Sequence, residues 1–174
     1  MCEKVLIVIL VLFTWSCMSN NFGQPKNVKK LTLNSDELRN IIIDSILDDN
    51  TDNYDFDRSV LVLNIKKKTD YFEIRAGLLH KDDFKWYLKD KNDIIYGYLN
   101  YKNILILVFG ASSNIYFSKH NESIEFDFLR IDPDIKKNDG LTLPPIIFEP
   151  EIRVFKSKKN SFELIEKGML YLLK

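Results

Sequence analysis

Residues 59–67 read SVLVLNIKK, and residues 104–109 read ILILVF. In both stretches successive positions are apolar, so neither face of an extended chain is polar. A strand with this pattern sits inside a sheet covered on both sides, and its β-branched content favours the extended state. These two central strands set the frame for the rest of the chain.

Outward from them, Tyr71 to Leu79 alternates: Phe72, Ile74, Ala76 and Leu78 oppose Glu73 and Arg75. Ile94 to Asn100 alternates as well, with Tyr96 and Tyr98 assigned to one side and Leu99 to the other. Asn114 to Ser118 is a short strand candidate. Ser123 to Arg130 sets Ile124, Phe126 and Phe128 against Glu125 and Asp127, and His120-Asn121-Glu122 reads as the hairpin turn before it. Glu151 to Lys156 and Ser161 to Glu166 form a hairpin pair around Ser157-Lys158-Lys159-Asn160. Asp132 to Pro150 holds four of the five prolines and Asn138-Asp139-Gly140, so it reads as a loop. Met169 to Lys174 fits either a strand extension or a helix.

The helical pattern lies upstream, over Asn34 to Asp48. Leu38, Ile41, Ile42 and Ile46 share one face at helical spacing. Asn34 or Ser35 can cap its start, and Asp36 and Glu37 suit the positive end of the helix dipole. Short connections favour antiparallel neighbours, because parallel ones need crossovers of about a dozen residues. The expectation is therefore an α+β domain over residues 31–174. One N-terminal helix packs on a mostly antiparallel, curved sheet of about six to eight strands, with a small barrel-like sheet as the alternative. No internal repeat is visible.

Composition narrows the function classes. The 174 residues carry 25 Lys+Arg and 25 Asp+Glu, so no basic excess exists to coat nucleic acid. At 45% hydrophobic residues, a sizeable core is available. The six glycines are too dispersed for a phosphate-cradling loop, and no Gly-x-Ser-x-Gly elbow occurs. Two His and two Cys are too few for an ordinary zinc site.

The first twenty residues read as an address. Val5 to Trp15 (VLIVILVLFTW) is an apolar run of eleven residues behind Lys4. That is too short for a spanning helix of about 20 residues and suits the core of a secretory signal peptide. Thr14-Trp15-Ser16-Cys17 then resembles the lipobox of bacterial lipoproteins. Ser16 and Cys17 match the two most restrictive positions; Thr14 stands where Leu is usual, and Trp15 where a smaller residue is commoner. The resemblance covers only this N-terminal segment. It implies a signal peptide over 1–16, a lipid on the thiol of Cys17, and a cell-envelope location facing periplasm or exterior. Residues 17–30 follow as a polar tether whose lysines can touch anionic headgroups. Loss of residues 1–16 would leave no free thiol in the domain, since Cys2 departs and Cys17 is alkylated. Ordinary secretion after Ser19 is the alternative.

Three candidate sites remain. Phe84, Trp86, Tyr87, Tyr96, Tyr98 and Tyr101 lie among charged residues, and exposed aromatics in such company bind proteins, peptides or glycans. Trp86, Tyr87, Tyr96 and Tyr98 are the binding candidates; coverage of a sheet edge is the simpler reading. His80 with Asp82 or Asp83 is the start of a general-base arrangement for a lipid-anchored hydrolase, although no nucleophile accompanies it. Asp48, Asn50 and Asp52 have the opening spacing of a calcium loop, but the expected Glu at its twelfth position is Ser59. The acidic run Asp48 to Asp57 also suits a small inhibitor or immunity-type protein meeting a basic partner. The favoured reading is a membrane-anchored, non-enzymatic binding module whose partner is an envelope protein, peptide or glycan.

Overall fold

The computed structural model describes residues 27–50, 55, 57–82, 95–129, 151–159 and 161–168. Eight strands form one sheet: β1 (Asn27–Leu33), β2 (Ser59–Lys67), β3 (Phe72–His80), β4 (Ile95–Tyr101), β5 (Ile104–Phe109), β6 (Phe117–Glu125), β7 (Ile152–Lys158) and β8 (Ser161–Gly168). Their order is β6-β1-β4-β5-β2-β3-β7-β8. A helical segment, α1, runs from Asp36 to Asp49 with its middle, Arg39–Asp44, wound as a π-helix.

The expected α+β class is corrected. Of the described residues, 60% are in strands and 21% are helical, and α1 is a single 14-residue helix beside one large mixed sheet. The architecture is largely β. Antiparallel pairs predominate, but β1–β4 and β2–β5 are parallel. Short links constrain only strands consecutive in sequence. Both parallel pairs join strands with two or more elements between them, and these elements make the crossover.

The central strands behave as their composition requires. β2 is buried from Ser59 to Ile65 and pairs with β3 on one side and β5 on the other. On one face, Leu61, Leu63, Ile74, Ala76, Ile104, Ile106 and Val108 pack with Leu38, Ile42, Ile43, Ile46 and Leu47 of α1. On the other face, Val60, Val62, Leu79, Leu107, Phe109, Ile152 and Val154 pack with Leu129, Phe126 and Phe128. The last three come from the 3-10 turn Asp127–Leu129 and the residue before it.

Four local readings change. Residues 27–30, read as tether, are in β1. Val28 and Leu31, three residues apart, fall on opposite faces and enter different cores, and the exposed polar residues around them hide the strand. His120-Asn121-Glu122 is not a hairpin turn: it lies inside β6, as the irregular stretch where the register to β1 jumps from Ser123 to Lys119. Its polarity is that of an edge strand exposed along most of its length, a composition that discourages further pairing. The expected strand Ser123–Arg130 ends at Glu125, where the β1 ladder stops at Asn27, and the 3-10 turn turns Phe126 and Phe128 inward. Residues 111–115, overlapping the short strand candidate, form a 3-10 turn in which the Ser113 hydroxyl donates to the carbonyls of Phe109 and Gly110.

In α1, Ser35 is the N-cap: its hydroxyl accepts the Leu38 N–H at 3.1 Å. Leu38, Ile42 and Ile46 face the core as expected, but Ile41 does not; it is 41% exposed, whereas Ile43 is fully buried. Hydrogen bonding from i to i+5 in a π turn places a residue under the one five before it, which brings Ile43 beneath Leu38.

Candidate functional site

The two ends of the sheet differ in charge. The C-terminal half of α1 reaches the end where β2 begins and the β4–β5 turn lies. That turn, Lys102-Asn103, has both residues at positive φ. It places the Lys102 ammonium 2.8 Å from the Asp44 carboxylate and 3.9 Å from that of Asp48. The Tyr101 hydroxyl donates to both Asp44 oxygens, at 3.1 and 3.3 Å. The hydrogen bond from Lys102, reinforced by that of Tyr101, holds the Asp44 carboxyl below its ordinary range against the opposing effect of burial. Burial, then the bond to Asp44, pushes the Tyr101 phenol up.

Arg153 of β7 closes the same end of the helix. Its side chain is 8% exposed and donates to Asp49 at 2.6 Å, Glu151 at 3.0 Å and the Ser45 carbonyl at 3.3 Å. A cation here suits the negative end of the helix dipole. Asp48 and Asp49, unfavourable at a helix C-terminus by themselves, are thus compensated by Lys102 and Arg153.

The calcium candidates sit in this setting. Asn50 uses its side-chain N–H to cap α1, donating to the Ile46 carbonyl at 2.7 Å. Asp48 faces Lys102. Asp52 lies outside the described residues. Among the described residues, no group of three or more His, Cys, Asp or Glu side chains is arranged to hold a metal ion.

His80 and Asp82 lie at the end of β3. The Asp82 carboxylate is 3.4 Å from His80 Nδ1 but 2.9 Å from the Arg58 guanidinium, and it is 71% exposed. The Asp82 backbone N–H also points at His80 Nδ1, at 3.4 Å. The Asp82 carboxylate is thus held closer to Arg58 than to the imidazole, in an exposed turn. Asp83 lies outside the described residues.

Of the aromatic candidates, Trp86 and Tyr87 lie outside the described residues. Tyr96 and Tyr98 are half-buried, and a shift of register between Ile95 and Gly97 puts them on opposite faces. Tyr96 packs toward the α1 side with the Lys119 ammonium 4.0 Å over its ring, a cation–π contact. Tyr98 packs on the other side, edge-on to Phe126 at 5.2 Å. The two rings do not form one platform, correcting the same-side assignment made from strict alternation.

The opposite end of the sheet is cationic, which the sequence reading left unremarked. The β2–β3 turn carries Lys66, Lys67 and Lys68, and the β7–β8 turn carries Lys158 and Lys159. Pairing of Phe72 with Ser157 sets the two turns side by side. A shallow depression there is lined by Lys67, Lys68, Thr69, Asp70 and Tyr71. Three lysines in succession were visible in sequence; their proximity to a second lysine pair depends on β3–β7 pairing.

Comparison with protein-family models, with curated proteins and with solved structures finds no match.

Proposed function

We propose that this chain is a bacterial envelope lipoprotein: a lipid on Cys17 holds the β domain at a membrane, where it acts as a non-enzymatic binding module. One observation carries the reading. A charged start and an eleven-residue apolar run lead directly into Ser16-Cys17, the small-residue-then-cysteine pair that lipoprotein processing requires. The position of the domain supports it. The first strand starts at Asn27, ten residues past Cys17, so the intervening chain has the length of a short tether. A diacylated cysteine supplies more than one acyl chain, which is what stable anchoring takes.

The deciding experiment is the mass of the N-terminal peptide from membranes of expressing bacteria, with the Cys17→Ala variant beside it. The expected peptide starts at Cys17 and carries acyl chains, and Cys17→Ala moves the domain out of the lipid-modified membrane pool. An unmodified start at Asn20, or a retained Met1, overturns the anchor.

A further inference from the structure

We infer that the lysine-rich end of the sheet is a docking surface for an anionic phospholipid membrane, and that it fixes which end of the anchored domain faces the lipid. The inference rests on the envelope-anchored reading above, whose orientation it adds.

The charge is concentrated. Lys66, Lys67 and Lys68 of the β2–β3 turn, Lys156, Lys158 and Lys159 of the β7–β8 hairpin, and Arg75 behind them give seven cations. Asp70, Glu73, Glu163 and Glu166 give four carboxylates in the same quarter of the sheet. In a chain of zero net charge, this corner is net +3. Glu73 is largely spent internally: it is 8% exposed, 3.0 Å from the Arg75 guanidinium and 3.5 Å from the Lys68 ammonium. Lys156 lies 5.2 Å over the Tyr71 ring. Among the described residues, Lys66, Lys67, Lys158 and Lys159 have no carboxylate within ion-pair distance. Lys67, Lys158 and Lys159 are exposed, and Lys66 is partly exposed.

Among the described residues, these four ammonium groups hold no ion pair that ties the fold together. Lys66 and Lys67 end β2, beside the hairpin tip that carries Lys158 and Lys159, so an anionic surface at this end of the sheet can meet them together. Each lysine near such a surface adds attraction that falls off within a Debye length of about 10 Å.

Topology names the surface. Register through β1, β4, β5 and β2 aligns Lys30 with Tyr98, Tyr98 with Leu107, and Leu107 with Val62. β1 therefore runs opposite to β2, and its first residue, Asn27, lies at the sheet end where β2 finishes in Lys66-Lys67. The chain from Cys17 enters the domain at this cationic end. The other end carries Asp44, Asp48, Asp49, Asp57 and Asp82, but Lys102, Arg153, Arg58 and Lys81 lie among them, so its charges are largely balanced. A domain tethered from its cationic end to a negatively charged bilayer is drawn down on that end, and the charge-balanced end is turned away. Glu125 and Asp127 also lie toward the cationic end, but next to β1, on the far side of the sheet from the lysine turns.

The test uses the full-length protein on two kinds of vesicle, phosphatidylcholine alone and phosphatidylcholine with about a third phosphatidylglycerol. Flotation measures binding, and brief amine labelling read by mass spectrometry measures which lysines the lipid covers. The expected result is protection of Lys66, Lys67, Lys158 and Lys159 on anionic vesicles only, lost in high salt, while Lys81 and Lys102 label equally on both. A variant with Lys66, Lys67, Lys158 and Lys159 all changed to Gln should keep the parent's melting temperature and lose at least about tenfold of the anion-dependent gain in flotation. Equal labelling of both ends on anionic vesicles overturns the docking surface, as does undiminished anionic binding by the folded variant. Failure of the anchor is read separately: an unlipidated N-terminus with anion-dependent protection intact overturns the anchor and sustains the docking surface.

Discussion

At Gly110 a single residue decides whether β5 can end where it does. Its φ is +94°, and a Cβ there would lie 2.1 Å from the Ile65 carbonyl oxygen of β2. Both the left-handed backbone and the close approach of a neighbouring strand require glycine. Gly110→Ala is expected to cost about 2–4 kcal/mol, more than a strain-free exchange at a flexible loop, and a urea melt would show it. Gly97 is a similar case without the positive φ: a Cβ would meet the Leu31 side chain and the Lys29 carbonyl at 2.5 Å. The ILILVF run ending in glycine was legible in sequence as a strand stop. That the stop abuts Ile65 was not, because β2–β5 contact joins residues more than forty positions apart.

Tyr116 is a second residue-scale case. It donates to the Ser157 hydroxyl at 2.6 Å, and both are buried. Burial raises the phenol's pKa, while the bond to Ser157 opposes that rise. Nothing in the local sequence pairs Tyr116 with a serine on β7; only the fold does.

At the scale of elements, α1 is attached to the sheet in two ways. Its apolar face is selected by the π turn, so isoleucines two apart in sequence have opposite roles. Ile43→Ala is expected to cost about 2–5 kcal/mol as a core truncation. Ile41→Ala is expected to stay within about 0.5 kcal/mol, as a surface change. Equal costs in denaturant unfolding would contradict the π-wound register. A plain helical wheel chose Ile41 because it assumes one spacing throughout; the π turn is imposed by packing over β2 and β5.

The polar attachment is Asp44 with Lys102 and Tyr101. The Asp44 pKa is lowered in the folded state, so the stability it contributes is present above its unfolded pKa and is lost as pH falls through the folded value. Lys102 is raised, chiefly by its hydrogen bond to Asp44, so its share is present below the unfolded lysine pKa and is lost only as pH rises through the folded one. Asp44→Asn should therefore lower stability by about 1–2 kcal/mol at neutral pH, an amount suited to a charge-assisted bond at a half-exposed site, and should flatten the loss between the unfolded and folded pKa of the carboxyl. Melting temperatures of parent and variant from neutral pH into the acid range would show the two curves converging.

Across the whole molecule, one sheet separates two cores, and β5 belongs to both. Ile106 faces α1 and Leu107 faces the opposite layer, and both are fully buried. Since no strand is covered on one side only at the centre, loss of either core removes support from the other. Ile106→Ala and Leu107→Ala are each expected to cost about 2–5 kcal/mol and to lower one common melting transition. Separate transitions reported by probes on the two faces would show that the layers unfold independently.

The sequence alone determined the central strands, the β3 pattern, the final hairpin and the helix with a cap at Asn34 or Ser35, because each is written in local periodicity and end signals. The lipobox resemblance, on which the proposed anchor rests, is likewise a matter of consecutive residues. Local pattern fails where a bulge changes the face of a strand, as at Ile95–Gly97, and where an edge strand has no buried side to display, as in β6. Tertiary structure decided the largely β class, the parallel pairings, the separation of Tyr96 from Tyr98 and the meeting of the two lysine turns. Each of these depends on which distant strands exchange hydrogen bonds. That choice is set by the simultaneous burial of both sheet faces, which no single segment specifies.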